Sequence, residues 1–262
     1  MENNRILLKD KDRKTLTLKG DTEIVAEKDS DTSLIVNILS SMQVSLHITL
    51  QENARAVIFY QNSAEDFEVE EVVDVAAYGE VRIAYCELES KQLNRTVKVN
   101  LNGPEASVNL ISGAFVDDKK HMDILCDHCV PHTYSEMQTY GVILTNGDYK
   151  VLANGKIERG AYGSKTHQTS RVLTFSEKQN ALVEPMLMID ENDVEASHAT
   201  SIGQLDENQL YYLMSRGITK SEALKLISLG YLMPLTQVTE DEELKKSLEE
   251  YIEKKVAVAC LA

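Results

Sequence analysis

The sequence predicts a mainly β chain that closes on a small α-helical region, and three observations carry the prediction. Short alternations of apolar and polar residues follow one another up to about residue 205, with no helical stripe of normal length among them. At Asp206 the period changes: Leu210, Leu213 and Met214 recur at helical spacing, and Gly217 stands where a helix would end. Two helix-start signals follow, the capping box Thr219-Lys220-Ser221-Glu222 and a Glu242 three residues after Thr239. The organisation expected is therefore a β core over residues 1–205 and a C-terminal helical domain over residues 206–262.

In chain order, Met1 to about Ser30 holds short alternating pieces such as Thr15-Leu16-Thr17-Leu18 between charged turns. Strand-like runs follow at Leu34–Leu39, Val44–Leu50, Ala56–Tyr60, Val81–Tyr85, Val97–Leu101 and Ser107–Phe115, with Glu65–Glu71 reading as an acidic connector. The beat continues through Met122–Val130, Ser135–Leu144, Tyr149–Ala153, Arg171–Phe175, Met186–Ile189 and Val194–Ala199. Leu46, Ile48, Leu50, Val57 and Phe59 fall on Val97, Val99, Leu101, Val108 and Leu110 at a constant offset of 51, which suggests stacked coils. Many short strands without helices between them leave a sandwich, a barrel or a β-helix. In the tail, Ala223, Leu224, Leu226 and Ile227 form a helical stripe that Gly230 would stop, and a last helix runs through Leu244, Leu248, Tyr251 and Ile252. The apolar connection Tyr231–Leu235 would pack against the end of the β core or meet a partner, as amphipathic helices do in grooves.

Composition narrows the function. With 262 residues and 43% hydrophobic residues the chain can fill a core, and no Trp with only 6% aromatic residues favours thin aliphatic packing over a deep aromatic pocket. A formal net charge of −15 argues against nucleic acid and anionic membranes, which would repel it. Met1 to Arg5 opens no signal peptide, no apolar run is long enough to span a bilayer, and four cysteines make no disulfide framework, so a reducing cytoplasm is the expectation.

The wording from Pro185 to Ile218 is the most specific stretch. Pro185-x-Leu187-x-Ile189, an acidic turn, Asp193-Val194, Ser197-His198, then Asp206, Gln209–Leu213 and Ser215–Ile218 resemble the SufB/SufD family of iron–sulfur cluster assembly proteins, on its SufD side. Weaker likeness runs from about His121 to the C-terminus. The resemblance implies a right-handed parallel β-helix followed by a small C-terminal helical domain, without the N-terminal helical domain such relatives carry. It implies a non-catalytic subunit of a cluster assembly complex that pairs with a SufB-like subunit or forms a homodimer. A SufC-like ABC ATPase would dock on the C-terminal helices, with Tyr211, Tyr212, Arg216, Leu224, Ile227 and Tyr231 as the docking residues.

His198 is the first candidate site. Read alone, a histidine among Ala196, Ser197, Ala199 and Thr200 is more often a hydrogen-bonded structural residue than a ligand. The resemblance implies an interface role beside a transient iron–sulfur cluster, where His can stand in for Cys. The departures matter: SufD relatives often carry Cys where Ala196 stands, and an ungapped count places the SufB cysteine and glutamate on Ser170 and Ala199. The expectation is that no cluster is held firmly by this chain alone. A second constellation, Cys126-Asp127-His128-Cys129-Val130-Pro131-His132, has the ligand types for zinc or iron, and a metal-binding protein using Cys126, His128, Cys129 and His132 is the rival reading. In an extended strand, however, Cys126 and His128 face one side and Cys129 the other. A β-helix enzyme acting on polysaccharide is a further alternative, disfavoured by scarce aromatics. Cys260 reads as a bystander thiol.

Overall fold

The computed structural model describes residues 4–89, 91–144, 146–175 and 178–259. Cys260 lies outside the described residues. Sixteen strands follow in order: β1 Asn4–Leu8, β2 Arg13–Thr17, β3 Thr22–Ala26, β4 Asp31–Ile38, β5 Met42–Leu50, β6 Arg55–Asn62, β7 Asp66–Val75 and β8 Glu80–Glu87. They continue as β9 Gln92–Leu101, β10 Ser107–Val116, β11 Lys119–His128, β12 Tyr134–Ile143, β13 Asp148–Ile157, β14 Lys165–Thr174, β15 Asn180–Ile189 and β16 Glu195–Gln204. Odd-numbered strands stack in one parallel sheet and even-numbered strands in the other, eight in each. Every strand thus pairs with the strand two further along, which is a parallel β-solenoid and not a sandwich or barrel. The resemblance anticipated that architecture; periodicity alone did not choose it.

Alternation decides which side chains fill the solenoid. On β5 it buries Val44, Leu46, Ile48 and Leu50 while Gln43, Ser45 and His47 face solvent. The offset of 51 residues is right from β5 to β9 of the odd sheet, where Leu46 stacks on Glu71 and Glu71 on Val97, but coils lengthen along the stack and it does not extend to the later strands. In the even sheet it slips by one. There Ala56 stacks on Val81 and Val81 on Val108, so two coils take 52 residues and Val57 and Phe59 point out of the solenoid.

A left-handed residue marks the turn between the strands of successive coils: Lys11, Asp29, Asn53, Tyr78, Glu105 and His132, with φ between 58° and 64°. Turn amides bond the turn of the next coil, as in Asn53 N–H to Ala77 O at 2.9 Å and Tyr78 N–H to Pro104 O at 2.9 Å. That common turn geometry keeps the coils in register.

The stretch Glu65–Glu71, expected as an acidic connector, is instead the start of strand β7. Glu68 and Glu70 point to solvent while Glu71 points inward. A strand tolerates that inward carboxylate because Arg95, on β9, lies one coil away and pairs with it at 2.8 Å. Arg95 also meets Glu87 at 3.2 Å and lies 4.1 Å from the centroid of the Tyr85 ring.

The tail consists of α1 Glu207–Ser215, α2 Lys220–Leu232, a 3-10 turn Met233–Val238 and α3 Glu242–Ala259. Asp206 caps α1 by accepting from Asn208 N–H, Gly217 (φ +88°) follows its end, and the Thr219/Glu222 capping box opens α2. Gly230 does not stop α2, which continues to Leu232. The last helix starts three residues later than Thr239, with the Asp241 carboxylate accepting from Glu243 and Leu244 N–H.

The connection after α2 packs on the outer face of the even sheet, not on the end of the solenoid. Leu232, Leu235, Val238, Leu248 and Ile252 form a second core there with Phe59, Ala84, Cys86, Ile111 and Phe115. Gly113 makes the approach possible: a Cβ at that position would lie 2.4 Å from Leu235 Cδ1. Glu89 then pins α3 from the solenoid side, bonding Tyr251 Oη at 3.1 Å and pairing with Lys255 at 2.5 Å.

Candidate functional site: the open end of the solenoid

The last coil, β15 and β16, ends the stack. Each is a ten-residue strand paired on one side only, to β13 and β14 respectively. Every residue of β16 is exposed. A long unpaired edge of this kind is what soluble proteins normally cover or disrupt.

His198 sits in the middle of this edge. Its register partner on β14 is Gln168, a buried inward-facing residue, so His198 lies on the inner face of the open coil. Around it the interior turns from apolar to polar: Ser135, Thr139, Thr166, Gln168 and Ser170 are all buried. Their hydroxyls are chained, Ser135 to Thr166 at 2.8 Å and Thr139 to Ser170 at 2.8 Å. Gln168 Nε2 donates to Met186 O at 3.0 Å, and its Oε1 has no partner. Neighbouring Ser197 faces outward and bonds His167 Nδ1 at 2.8 Å. The turn before β16 is fastened by Asp193 O, which accepts from Gly163 N–H at 2.6 Å, and by the Glu191 carboxylate, which accepts from Gly160 N–H at 2.9 Å.

The positions that depart from the family pattern lie close by. Ala196 and Ala199 flank His198 on β16, and Ser170 is one coil inward, stacked on Thr200. None brings a soft ligand to the histidine. Among the described residues, no three His, Cys, Asp or Glu side chains come together as a group that could hold a metal ion. His198 thus stands as a single imidazole on an exposed edge, with no sulfur or carboxylate ligand at positions 196, 199 or 170.

The Cys126–His132 constellation is not brought together. Cys126 and His128 lie on the inner face of β11, Cys129 is exposed, and His132 is exposed on its left-handed turn, edge-on to Tyr162 with ring centroids 5.2 Å apart. His128 is held at 2.7 Å from Thr133 Oγ1 and 2.8 Å from Ser135 Oγ. Burial pulls its pKa down to about 4, and burial likewise pushes the Cys126 thiol up to about 12. A neutral imidazole and a protonated thiol in a sealed interior are packing elements.

The docking residues divide into two sets. Tyr211, 75% exposed, Tyr212 and Arg216 lie on or beside α1, which buries no residue; Arg216 covers the Tyr212 ring at 5.2 Å. Ile227 and Tyr231 are half-buried against the second core, and Leu224 is half-buried on α2. No helix among the described residues is long and apolar enough to cross a membrane.

With this geometry, residues 9–231 match the model of a family described as SUF system FeS cluster assembly, SufBD core domain. The chain belongs to the SufBD family. Its similarity is SufD-like: it is 48% identical to iron-sulfur cluster assembly protein SufD of Bacillus subtilis over 122 residues, 44% of this chain and 28% of that protein. It is 31% identical to iron-sulfur cluster assembly protein SufD of Escherichia coli over 101 residues, 38% of this chain and 24% of that protein. A SufBD family protein of Pyrococcus horikoshii is 34% identical over 102 residues, 38% of this chain and 23% of that protein. The chain thus spans about a quarter of the length of these curated relatives. The parallel solenoid is the SufBD core, and the open end coil with His198 belongs to it.

The feature that sequence reasoning missed is the buried ion cluster. Arg95, Glu71, Glu87 and Lys120 are all fully buried, and Lys120 donates to Glu87 O at 2.8 Å and Phe115 O at 2.6 Å. Burial alone would strip Arg95 of charge, but Glu87 and Glu71 outweigh it and raise its pKa. Burial lowers Lys120 to about 8 and raises Glu71. The signal was available: Glu71, Arg95 and Lys120 each occupy the inward parity of their strand.

Proposed function

We propose that the chain is a non-catalytic subunit of a cytoplasmic iron–sulfur cluster assembly complex. It pairs through its open end coil with a SufB-like subunit or a second copy, and docks a SufC-like ABC ATPase through its C-terminal helices. The cluster is the cargo. His198 offers it one imidazole at the subunit interface, and the partner supplies the remaining ligands, since Ala196, Ala199 and Ser170 cannot. The observation that carries this reading is the fully exposed ten-residue edge of β16 with His198 on its inner face, in a chain of this family.

Docking falls to α1, whose Tyr211, Tyr212 and Arg216 project from a helix with no buried residue, while α2 and α3 spend their apolar faces on the solenoid. Only Leu205 and Asp206 separate β16 from α1, so a force on the helix reaches the edge that carries His198.

The test is co-expression with a SufB-like subunit and a SufC-like ABC ATPase, followed by anaerobic reconstitution with iron and sulfide. His198→Ala should lower bound iron and sulfide severalfold while the subunits still co-purify. Deleting the residues after Asp206 should abolish ATPase capture but spare subunit pairing. Unchanged cluster content in His198→Ala, or ATPase capture by the truncated chain, would refute the respective part.

A further inference from the structure

Gln168 ends in an unanswered acceptor beside the candidate histidine. The residue is 2% exposed on the inner face of β14, directly in register with His198 on β16. Its Nε2 donates to Met186 O at 3.0 Å, while Oε1 is buried with no partner among the described residues. The amide cannot be turned over, because that would set Oε1 against the Met186 carbonyl oxygen, and both atoms only accept. Its place is also fixed from β13: a Cβ at Gly155 would lie 3.0 Å from Gln168 Nε2 and 2.6 Å from Thr166 Oγ1, so glycine leaves the space that the amide fills.

A buried acceptor without a donor is costly, and the neighbouring hydroxyls do not serve this one. Thr166 and Ser170, two residues to either side, bond Ser135 and Thr139 of the preceding coil. Met137, the register partner on β12, has nothing to donate. On the other side stands the imidazole of His198, one strand spacing of about 4.8 Å away, which makes no hydrogen bond of its own among the described residues. A neutral imidazole has one N–H and one bare nitrogen. An amide oxygen only accepts, so it selects the tautomer whose N–H points inward, and the bare nitrogen is then presented at the open edge. In the other tautomer two lone pairs would oppose each other, and the outward nitrogen, carrying hydrogen, could bind no metal.

We propose that Gln168 is a positioning residue for His198: its Oε1 takes the imidazole N–H and so fixes the tautomer that offers a lone pair at the open end. The hold on the ring is a property of this chain alone. Its use in binding iron rests on the function proposed above.

Nitrogen NMR of the full chain with isotope-labelled histidine, at about pH 8 where imidazole is neutral, reads the tautomer of His198 directly. His198→Ala identifies its signals among the six histidines. Gln168→Met keeps most of the volume and removes the acceptor, so the inward N–H tautomer should fall relative to the other by about fivefold. Gln168→Glu, which returns an acceptor, should restore the ratio, a rescue that packing alone would not give. Gln168→Ser, too short to reach the ring, carries the same expectation as the methionine variant and replaces it where that variant does not fold. An unchanged ratio in a folded variant without the acceptor, or a change that Gln168→Glu does not reverse, would overturn the positioning. In a complex reconstituted with a SufB-like subunit, Gln168→Met should also lower bound iron and sulfide severalfold. A changed tautomer with unchanged cluster content would overturn His198 as a ligand and leave the hold of Gln168 on the ring standing.

Discussion

Replacing Arg95 by Met removes the cation that makes an acidic strand foldable. In the native interior Arg95 pairs with Glu71 at 2.8 Å and Glu87 at 3.2 Å, all three side chains fully buried. Met fills much of the volume among Tyr60, Phe67 and Tyr85, so packing changes little; what changes is that two carboxylates lose their partner. Glu71 keeps the Tyr60 hydroxyl at 2.8 Å, and Glu87 keeps Asn62 at 2.7 Å. Breaking a buried pair by removing one member costs about 3–5 kcal/mol. At about 2–4 °C per kcal/mol for a chain of this size, Tm should fall by about 6–20 °C.

The loss should depend on pH with a defined sign. Burial already raises Glu71, and without Arg95 it rises further above the unfolded value of about 4.3. A carboxyl with a raised native pKa favours folding below the unfolded value, and that contribution disappears as pH climbs through the native pKa. Arg95→Met should therefore lie closer to wild type at about pH 5 than at about pH 8. Adding Glu71→Gln should recover part of the loss at pH 8. Chemical denaturation at the two pH values, followed by circular dichroism, checks this. A loss below about 1 kcal/mol that is the same at both pH values would refute the claim that Arg95 compensates buried carboxylates.

Three further outcomes follow from other parts of the structure. Gly113→Val pushes Leu235 off the even sheet, so the helical tail should become protease-sensitive at about 1–3 kcal/mol of lost stability, while the solenoid keeps its β circular dichroism. Lys120→Met should gain on wild type at neutral pH and lose that advantage as pH rises. Wild-type Lys120, lowered to about 8, stops carrying a costly buried charge through the window from 8 toward 10.5, at up to about 1.4 kcal/mol per unit. Tyr78→Asn should stabilise by about 0.5 kcal/mol in a melt, because the exposed ring contributes little and Asn tolerates the left-handed turn at φ 58° better; a destabilised variant would show that Tyr78 packs against its neighbours in solution.

Strand positions were legible wherever inward residues are apolar, since alternation then reports burial directly. Legibility failed where a buried position is ionic. Glu65–Glu71 reads as a solvated linker until Arg95, 24 residues on, is known to stack beside Glu71, and that pairing is set by coil length. Coil length itself was only partly visible: the offset of 51 is right from β5 to β9 in the odd sheet and one short from β6 to β10 in the even sheet, where the error swaps Val57 and Phe59 from inside to outside. At the site, sequence placed His198 on a strand beside the helical switch. It could not show that this strand is the last in its sheet, because an edge is defined by the neighbour that is missing. The Cys126–His132 residues are divided by the same parity that makes the core, with Cys126 and His128 inside and Cys129 outside.

The two ends of the structure's logic meet at Leu205. Upstream, the inner face of the even sheet runs from Leu16 in the first coil to Gln168, Ser170 and His198 in the last two, while the inner face of the odd sheet stays apolar through Val151, Ala153, Ala181 and Val183. Downstream, the chain turns back along the even sheet and anchors itself at Gly113 and Glu89 through α2, the 3-10 turn and α3, leaving α1 as the single helix with nothing buried beneath it. A solenoid could have been sealed by folding that helix over its open coil, which is how edges are commonly protected. Here the helices cover a flank and leave the end exposed. The same segment therefore presents two exposed surfaces side by side, the edge of β16 and the outward face of α1, and under the function proposed above binding at one would be transmitted to the other through the two residues that join them.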